Sequence, residues 1–150
     1  MKKITLTLIL FLILTSCGYK AIYSNKNLNL NIEKIKKIKK DRLNLTIEKR
    51  LKNFSNDQAL NKVSLEINAE KQIKIVSKNM RGDPSRYQMI VKLNIIIIDD
   101  QNKKIIKNIT KRFSYNTNSN RFTLSQYEKE IEEVLINKIF DELIKDLSKL

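Results

Sequence analysis

With 150 residues, 41% hydrophobic and 31% charged, the chain has the length and composition of one globular domain. Lys and Arg number 30 against 16 Asp and Glu, and the formal net charge of +14 is typical of proteins that bind nucleic acids or anionic membranes. The sequence has no His and a single Cys, which excludes imidazole catalysis, intrachain disulfides and Cys-based zinc sites.

The basic charge has a second explanation. The chain contains 24 Lys, 23 Ile and 17 Asn residues, all encoded by codons that can be almost pure A and T. A genome of that base composition would produce this bias without selection for an anionic partner. The charge alone therefore does not identify a ligand.

The first sixteen residues have the pattern of a bacterial export signal. Lys2 and Lys3 precede an apolar run over 4–14 that two threonines interrupt. Eleven helical residues span about 16 Å, well short of the roughly 30 Å hydrocarbon core of a bilayer. We therefore predict a cleaved signal peptide over 1–16 rather than a transmembrane helix.

Cys17 directly follows this run. The sequence Leu14-Thr15-Ser16-Cys17 resembles the bacterial lipobox, in which diacylglycerol alkylates the thiol and cleavage leaves the Cys first. A buried core cysteine is the alternative, but the charges, the length of the run and the small residues all favour lipidation. Two or three acyl chains anchor durably, so a diacylglyceryl, palmitate-type modification of Cys17 would hold the chain on a membrane. Gly18 resembles the signal for release to the outer membrane.

The next segments are expected to be a tether and the start of a domain over 30–150. Residues 17–29 have no clear period and predict a tether between lipid and domain. Residues 30–38 give a weak strand signal with which a helix competes. Over 41–54 the apolar residues recur at helical spacing, which predicts a helix with Asp41 as its N-cap.

Two alternating segments follow and predict neighbouring strands. Residues 63–75 alternate apolar and polar, which predicts a half-buried strand with Lys71 as the one break in its apolar face. A turn is expected over 80–85, where Gly82 and Pro84 lie. Alternation returns over 87–97, and apolar residues on the opposite face predict a central strand covered on both sides at one end: Ile90, Ile96 and Ile98.

The last third predicts a hairpin and a long helix. A turn at 99–102 leads to a return strand over 105–115 and an Asn-rich loop over 116–120. An apolar stripe over 127–147 predicts an amphipathic helix, preceded by residues with capping-box spacing: Thr123, Ser125, Gln126 and Glu128. The order βαβββα predicts an α+β fold in which two helices pack on a four-stranded sheet as a two-layer sandwich.

Catalytic chemistry has no sequence support. Two glycines cannot build a phosphate loop or a dinucleotide fingerprint, and Ser or Thr nucleophiles would lack a His base. Asp99-Asp100 is interpreted as a solvated turn former rather than a catalytic pair. We expect no enzyme, no metal site and no cofactor beyond the covalent lipid.

The arginines are the sharper candidates for an anion site. There are six of them, codon bias explains them less easily than it explains the lysines, and the guanidinium binds phosphate in a bidentate manner. The lysine-rich stretch 34–40 is interpreted as a solvated edge of a strand or helix. The candidate basic residues are Arg81, Arg86, Lys111, Arg112 and Arg121.

In its lipobox-like segment and in the order of its predicted elements, the chain resembles the LPS-assembly lipoprotein family LptE, in its divergent alpha-proteobacterial form. The resemblance extends over nearly the whole chain and ends in the long C-terminal helix. Its short motifs are Leu14-Thr15-Ser16-Cys17-Gly18-Tyr19 with Ile22-Tyr23, Ser85-Arg86-Tyr87, and Phe113-Ser114-Tyr115-Asn116.

The resemblance implies a function at the cell envelope. It implies a lipoprotein on the periplasmic side of the outer membrane that plugs the β-barrel of LptD and helps to deliver lipopolysaccharide to the cell surface. Lipid A carries phosphates, so the five candidate basic residues become candidate lipopolysaccharide contacts.

Two other interpretations stay open at this point. The first is another membrane-anchored lipoprotein, such as an auxiliary subunit of a lipid-transport ABC system. The second is a basic nucleic-acid-binding domain, which the net charge favours but the export signal contradicts, and which predicts a steep salt dependence of binding.

Overall fold

Four strands and two helices follow one another along the described part of the chain, residues 30–148 of a computed structural model. They are β1 (Asn31–Lys37), α1 (Arg42–Phe54), β2 (Lys62–Lys78), β3 (Pro84–Asp99), β4 (Lys104–Asn116) and α2 (Arg121–Leu147). The predicted α+β order is confirmed, and the ambiguous segment at 30–38 forms a strand. The predicted signal peptide, lipidated Cys17 and tether lie outside the described residues.

The strands form one mixed sheet in the order β1-β2-β3-β4. β1 and β2 are parallel, so α1 crosses over between them, whereas β2, β3 and β4 are antiparallel and joined by hairpins. We call the end of the sheet at the β2–β3 turn the distal end and the end at the β3–β4 turn the proximal end. β1 pairs only with Lys62–Ile67 of β2, so among the described strands the distal half of β2 has a neighbour on one side only.

The core lies between one face of the sheet and both helices. Alternate residues of β3 on this face are at most 2% exposed: Met89, Val91, Leu93, Ile95 and Ile97. The helices supply equally buried side chains: Ile47, Leu51, Leu135, Ile139 and Leu143. Phe54 and Phe140 stack with their ring centroids 6.1 Å apart, so the two helices lie side by side on the same face.

The predicted half-buried strand over 63–75 is half-buried only up to Ala69 and is exposed on both faces at its distal end. Ile73 and Ile75 are 40% and 51% exposed. α1 begins beside Ala69 and covers only the proximal half of β2, and α2 packs on β3 and β4. The break at Lys71 marks this boundary, because its Nζ donates to Oε2 of Glu132 on α2 at 2.6 Å.

The prediction that β3 is covered on both sides at one end is wrong for Ile96 and Ile98, although Ile90 is only 8% exposed. The even-numbered residues of β3, with their register partners in β2 and β4, form a face that no described helix or strand covers; we call it the uncovered face. Ile96 and Ile98 are partly exposed there, and Ile106, in register with Ile96, is 65% exposed. Both helices contribute to the single core on the other face, so none remains for this one.

The N-terminus of α2 differs from the predicted capping box. Its N-cap is Asn120, whose side chain accepts hydrogen bonds from the main-chain N–H of Phe122 and Thr123. Asn is as good an N-cap as Ser or Asp, so the helix starts several residues before the predicted box. Arg121 is consequently the first helical residue and not part of the preceding loop.

Both predicted turns are confirmed. In the distal turn Gly82 has φ +86°, a left-handed conformation that glycine adopts without strain, and Asn79 Oδ1 accepts from the N–H of Arg81 and Asp83. In the proximal turn Asp99 Oδ1 accepts from the N–H of Gln101 and Lys103. The Asp99 carboxylate is therefore used as a turn former.

The fully buried Asn44 of α1 acts as a substitute strand residue. Its side-chain amide accepts from the N–H of Ala69 at 2.8 Å and donates to the carbonyl of Ala69 at 3.0 Å, just beyond the last residue of β2 that β1 reaches. It also donates to Asp41, the N-cap of α1. The amide thus fixes the start of α1 to the edge of the sheet.

We expect Asn44→Ala to lower the free energy of unfolding by about 2 to 4 kcal/mol, because it leaves two buried main-chain groups without partners. Leu45→Ala is the matched control, since Leu45 is 49% exposed and the change should cost less than about 1 kcal/mol. Urea denaturation of both variants measures the difference. Equal stability of the two would contradict the role of the amide.

Candidate functional site

The distal end gathers four of the five candidate basic residues. Arg81 lies in the β2–β3 turn, Arg86 is the third residue of β3, and Arg121 is the first residue of α2. Arg112 lies four residues before the distal end of β4. The turn is formed by residues 79–83, so the hairpin itself carries Arg81 to the tip.

The two short motifs that begin β3 and end β4 pair with each other. Arg86 is in register with Asn116, and Tyr87 with Tyr115. Arg86 and Arg112 both belong to the uncovered face, since each is an even number of residues from Ile90 or its register partner. They lie four positions apart along the ladder, about 13 Å at roughly 3.3 Å per residue.

Lys111 does not belong to this group. It lies on the helix side of β4, where its Nζ donates to Oε2 of Glu142 on α2. The structure therefore separates Lys111 from the four arginines, and its ammonium group is already paired. Alternation along the strand could have indicated this, because Lys111 has the same parity as the buried Ile109 and Tyr115.

The arginines of the distal end have no acidic partners. Arg81, Arg86, Arg112 and Arg121 form no ion pair with any other residue in 30–148, although ten ion pairs occur elsewhere in that range. Residues 72–90 carry four cations and one acid, and residues 110–126 carry three cations and none. The acids of residues 30–148 therefore leave these four cations unpaired.

Exposed apolar side chains lie at the same end of the sheet as these cations. Met80 in the turn is fully exposed and Phe122 at the start of α2 is 72% exposed, while Ile73 and Ile75, about half exposed, lie on the opposite face from Arg86 and Arg112. A surface that combines guanidinium groups with apolar side chains suits a ligand with both anionic groups and hydrocarbon.

A cluster of three tyrosines supports the distal end from the helix side. Tyr115 stacks on Tyr87 with centroids 5.8 Å apart and meets the edge of Tyr127 at 6.1 Å. The buried hydroxyl of Tyr115 donates to Oε1 of Glu128 at 2.6 Å. Burial, and then the hydrogen bond to the Glu128 carboxylate, raise the pKa of Tyr115 far above its usual value. Sequence reasoning missed this cluster, although the strand register would have indicated it.

A polar cleft of about 430 Å³ adjoins this cluster between the end of β4 and the first turns of α2. Its lining includes Asn116, Thr123, Tyr127 and Glu130. The N–H groups of Phe122 and Thr123 at the start of α2 are already bonded to the Asn120 side chain. The cleft therefore offers amide and hydroxyl groups rather than a helix terminus.

Two further properties concern the described residues. Within 30–148 no group of three or more acidic or cysteine side chains is arranged to hold a metal ion. Neither α1 nor α2 has the length and apolar character that a membrane-spanning helix requires.

Solved structures of bacterial lipoproteins resemble this domain. Rare lipoprotein B from Shewanella oneidensis matches 80% of this chain and 93% of its own length, with a TM-score of 0.56 and 13% identity. A minor lipoprotein from Acinetobacter baumannii matches 80% and 90%, with a TM-score of 0.58 and 15% identity. Lipoprotein B from Nitrosomonas europaea matches 81% and 84%, with a TM-score of 0.54 and 13% identity.

The chain has the fold of these lipoproteins. The sandwich of a four-stranded sheet and two helices is therefore an architecture that recurs with very little sequence in common. No protein-family model matches the sequence, and no curated protein matches it at a significant level. The likeness to these solved structures confirms the predicted fold.

The tyrosine cluster predicts a pH effect on stability. The unfolded chain releases the Tyr115 proton at about pH 10, whereas the native state retains it, so this residue's contribution to stability is complete below pH 10 and is lost as the pH rises further. We expect the stability advantage of the protein over its Tyr115→Phe variant to shrink between about pH 9 and 11. Urea denaturation across that range measures it, with Tyr127→Phe as the control. A constant difference would contradict the assignment.

Proposed function

We propose that this protein is an outer-membrane lipoprotein that plugs an LptD-like β-barrel and assists lipopolysaccharide transport to the cell surface. The observation that carries the proposal is the fold, which this chain shares over about 80% of its length with several proteins named as lipoproteins. A lipobox ending at Cys17 precedes the folded part at the position that anchoring from its N-terminal side requires.

In this proposal the lipid on Cys17 provides the anchor. Two or more acyl chains bind a bilayer durably, and the segment over 17–29 links them to the domain. The domain then works from the periplasmic side of the outer membrane. Its function is binding and positioning, without a catalytic step and without a cofactor other than the attached lipid.

The distal end supports a contact with lipopolysaccharide. Arg86 and Arg112 on the uncovered face, with Arg81 and Arg121 near them, would donate charge-assisted hydrogen bonds to lipid A phosphates. Met80 and Phe122 offer apolar surface to the acyl chains. Lys111 is a weaker candidate than the arginines, because a phosphate would have to displace Glu142 from it.

The test is extraction of the tagged, full-length protein from its own outer membrane in mild detergent. Mass spectrometry should find a Cys17 peptide that carries lipid at its new N-terminus, and a large β-barrel protein should co-purify in equal amount. The Cys17→Ala variant is the control, since it lacks the thiol and should keep residues 1–16.

Two results would contradict the proposal at different steps. A lipidated Cys17 without a barrel partner would favour another anchored lipoprotein, such as a subunit of a lipid-transport ABC system. An uncleaved and unmodified terminus would remove the export argument altogether.

A further inference from the structure

The distal half of β2 is an edge strand whose outward main-chain groups form no hydrogen bond with any residue in 30–148. The last hydrogen bond from the β1 side runs from the N–H of Ile38 to the carbonyl of Ile67 at 3.0 Å. The side-chain amide of Asn44 then bonds to the N–H and the carbonyl of Ala69. Every second residue of the strand points its N–H and C=O away from β3, so those of Lys71, Ile73 and Ile75 continue this outward row. No described residue bonds to them. We call Lys71–Ile75 the free edge.

Apolar and basic side chains surround the free edge. Ile73, Ile75 and the adjacent Val76 are 40%, 51% and 53% exposed. Lys74 and Lys78 form no ion pair with a described residue, and residues 72–82 include no acid. A cleft of about 400 Å³ where the chain leaves the sheet after β1 is of mixed charge, since Asp41 and Glu70 line it together with three lysines, of which Lys39 and Lys71 are already paired with acids.

We propose that the free edge binds an extended, acidic segment of another protein, which adds to the sheet as a further strand. An unpaired row of alternating N–H and C=O groups is matched in full only by another extended main chain. The exposed β-branched side chains favour apolar residues at alternate positions of that segment. The unpaired lysines favour acidic residues at the others.

A second copy of this chain is a poor occupant of the free edge. Edge-to-edge pairing would bring the unpaired Lys74 of each copy close to that of the other, and like charges across a strand pair destabilise it. The register of β2 against β3 shifts on both sides of Ser77, which limits regular pairing beyond Ile75. The bound segment is therefore short, about five residues.

This inference does not depend on the proposed function. It follows from the register of β1 and β2, from the position of Asn44 and from the charge of the edge. A barrel partner could fail to co-purify while the free edge still binds an acidic strand, and the reverse is equally possible.

The experiment measures hydrogen exchange of the full-length protein in detergent with a capped peptide of four Val-Glu repeats as the probe. We expect the peptide to slow amide exchange at least tenfold in fragments that include residues 71–75. A peptide of four Val-Lys repeats has the same apolar positions and should give no protection.

Two variants separate main-chain pairing from side-chain contact. Ile73→Pro removes an outward N–H, which is tolerated at a sheet edge, and should weaken binding of the Val-Glu peptide at least tenfold. Ile73→Thr is its matched control, because it keeps the N–H, and should stay within threefold. Lys74→Glu, which leaves the main chain intact, should reverse the preference between the two peptides.

The proposal is overturned by any of four results. These are no protection at about 1 mM peptide, a concentration that would detect a binding free energy near −4 kcal/mol; equal protection by both peptides; protection that appears with protein concentration alone, which would indicate a dimer; and protection only by phosphatidylglycerol vesicles, which would indicate a membrane contact.

Discussion

Replacing Ile95 with lysine is expected to remove most of the free energy of unfolding, whereas the same replacement at the next residue, Ile96, is expected to cost less than about 1 kcal/mol. Ile95 is completely buried under the helices, so its lysine would place an unpaired charge in the core, a change worth more than about 4 kcal/mol. Ile96 lies on the uncovered face, in register with Glu66, where a lysine can remain hydrated and meet a carboxylate.

Urea denaturation of the two variants measures this difference directly. A variant at Ile96 that is as unstable as the one at Ile95 would mean that both faces of β3 are covered. The Ile96→Lys variant also tests the proposed function, because it changes the uncovered face without changing the fold. If a barrel wall contacts that face, co-purification of the barrel should fall while stability does not.

Strand and helix periods could be predicted from the sequence because each depends on local alternation. The alternation over 63–75 and 87–97 defines β2 and β3 within a few residues, and the turn at Gly82 is where it was expected. Which helix covers a face of the sheet depends on residues that are distant in the sequence. Ile73 has the same pattern as Ile67, but α1 starts beside Ala69 and leaves Ile73 exposed.

The same distinction applies to the candidate site. The arginines were found from residue type alone, and the structure brings four of the five to one end of the sheet. Residue type could not distinguish Lys111 from the other candidates. Its ion pair depends on the crossing of β4 by α2, which brings Glu142 to it. The free edge could not be predicted from the sequence either, because it depends on where β1 ends relative to β2 in the sheet.

Reversing the charges of Arg86 and Arg112 together is expected to weaken binding of lipopolysaccharide by the full-length protein at least a hundredfold. Hydrogen bonds to charged groups contribute about 1.5 to 3 kcal/mol each, and the introduced carboxylates add repulsion. Both side chains are exposed and without ion pairs to described residues, so the fold should tolerate the double Arg→Glu change.

The matched control is the double Lys→Glu variant at Lys103 and Lys104, two exposed residues at the proximal end. Each double variant lowers the formal net charge from +14 to +10, so general electrostatic attraction changes equally in both. Displacement of a fluorescent lipopolysaccharide at moderate salt measures the affinities. A loss confined to the arginine pair would assign the phosphates to these two guanidinium groups at the distal end, because the change in net charge is the same in both variants. An equal loss would mean that the total charge, and no particular end of the sheet, attracts the lipid.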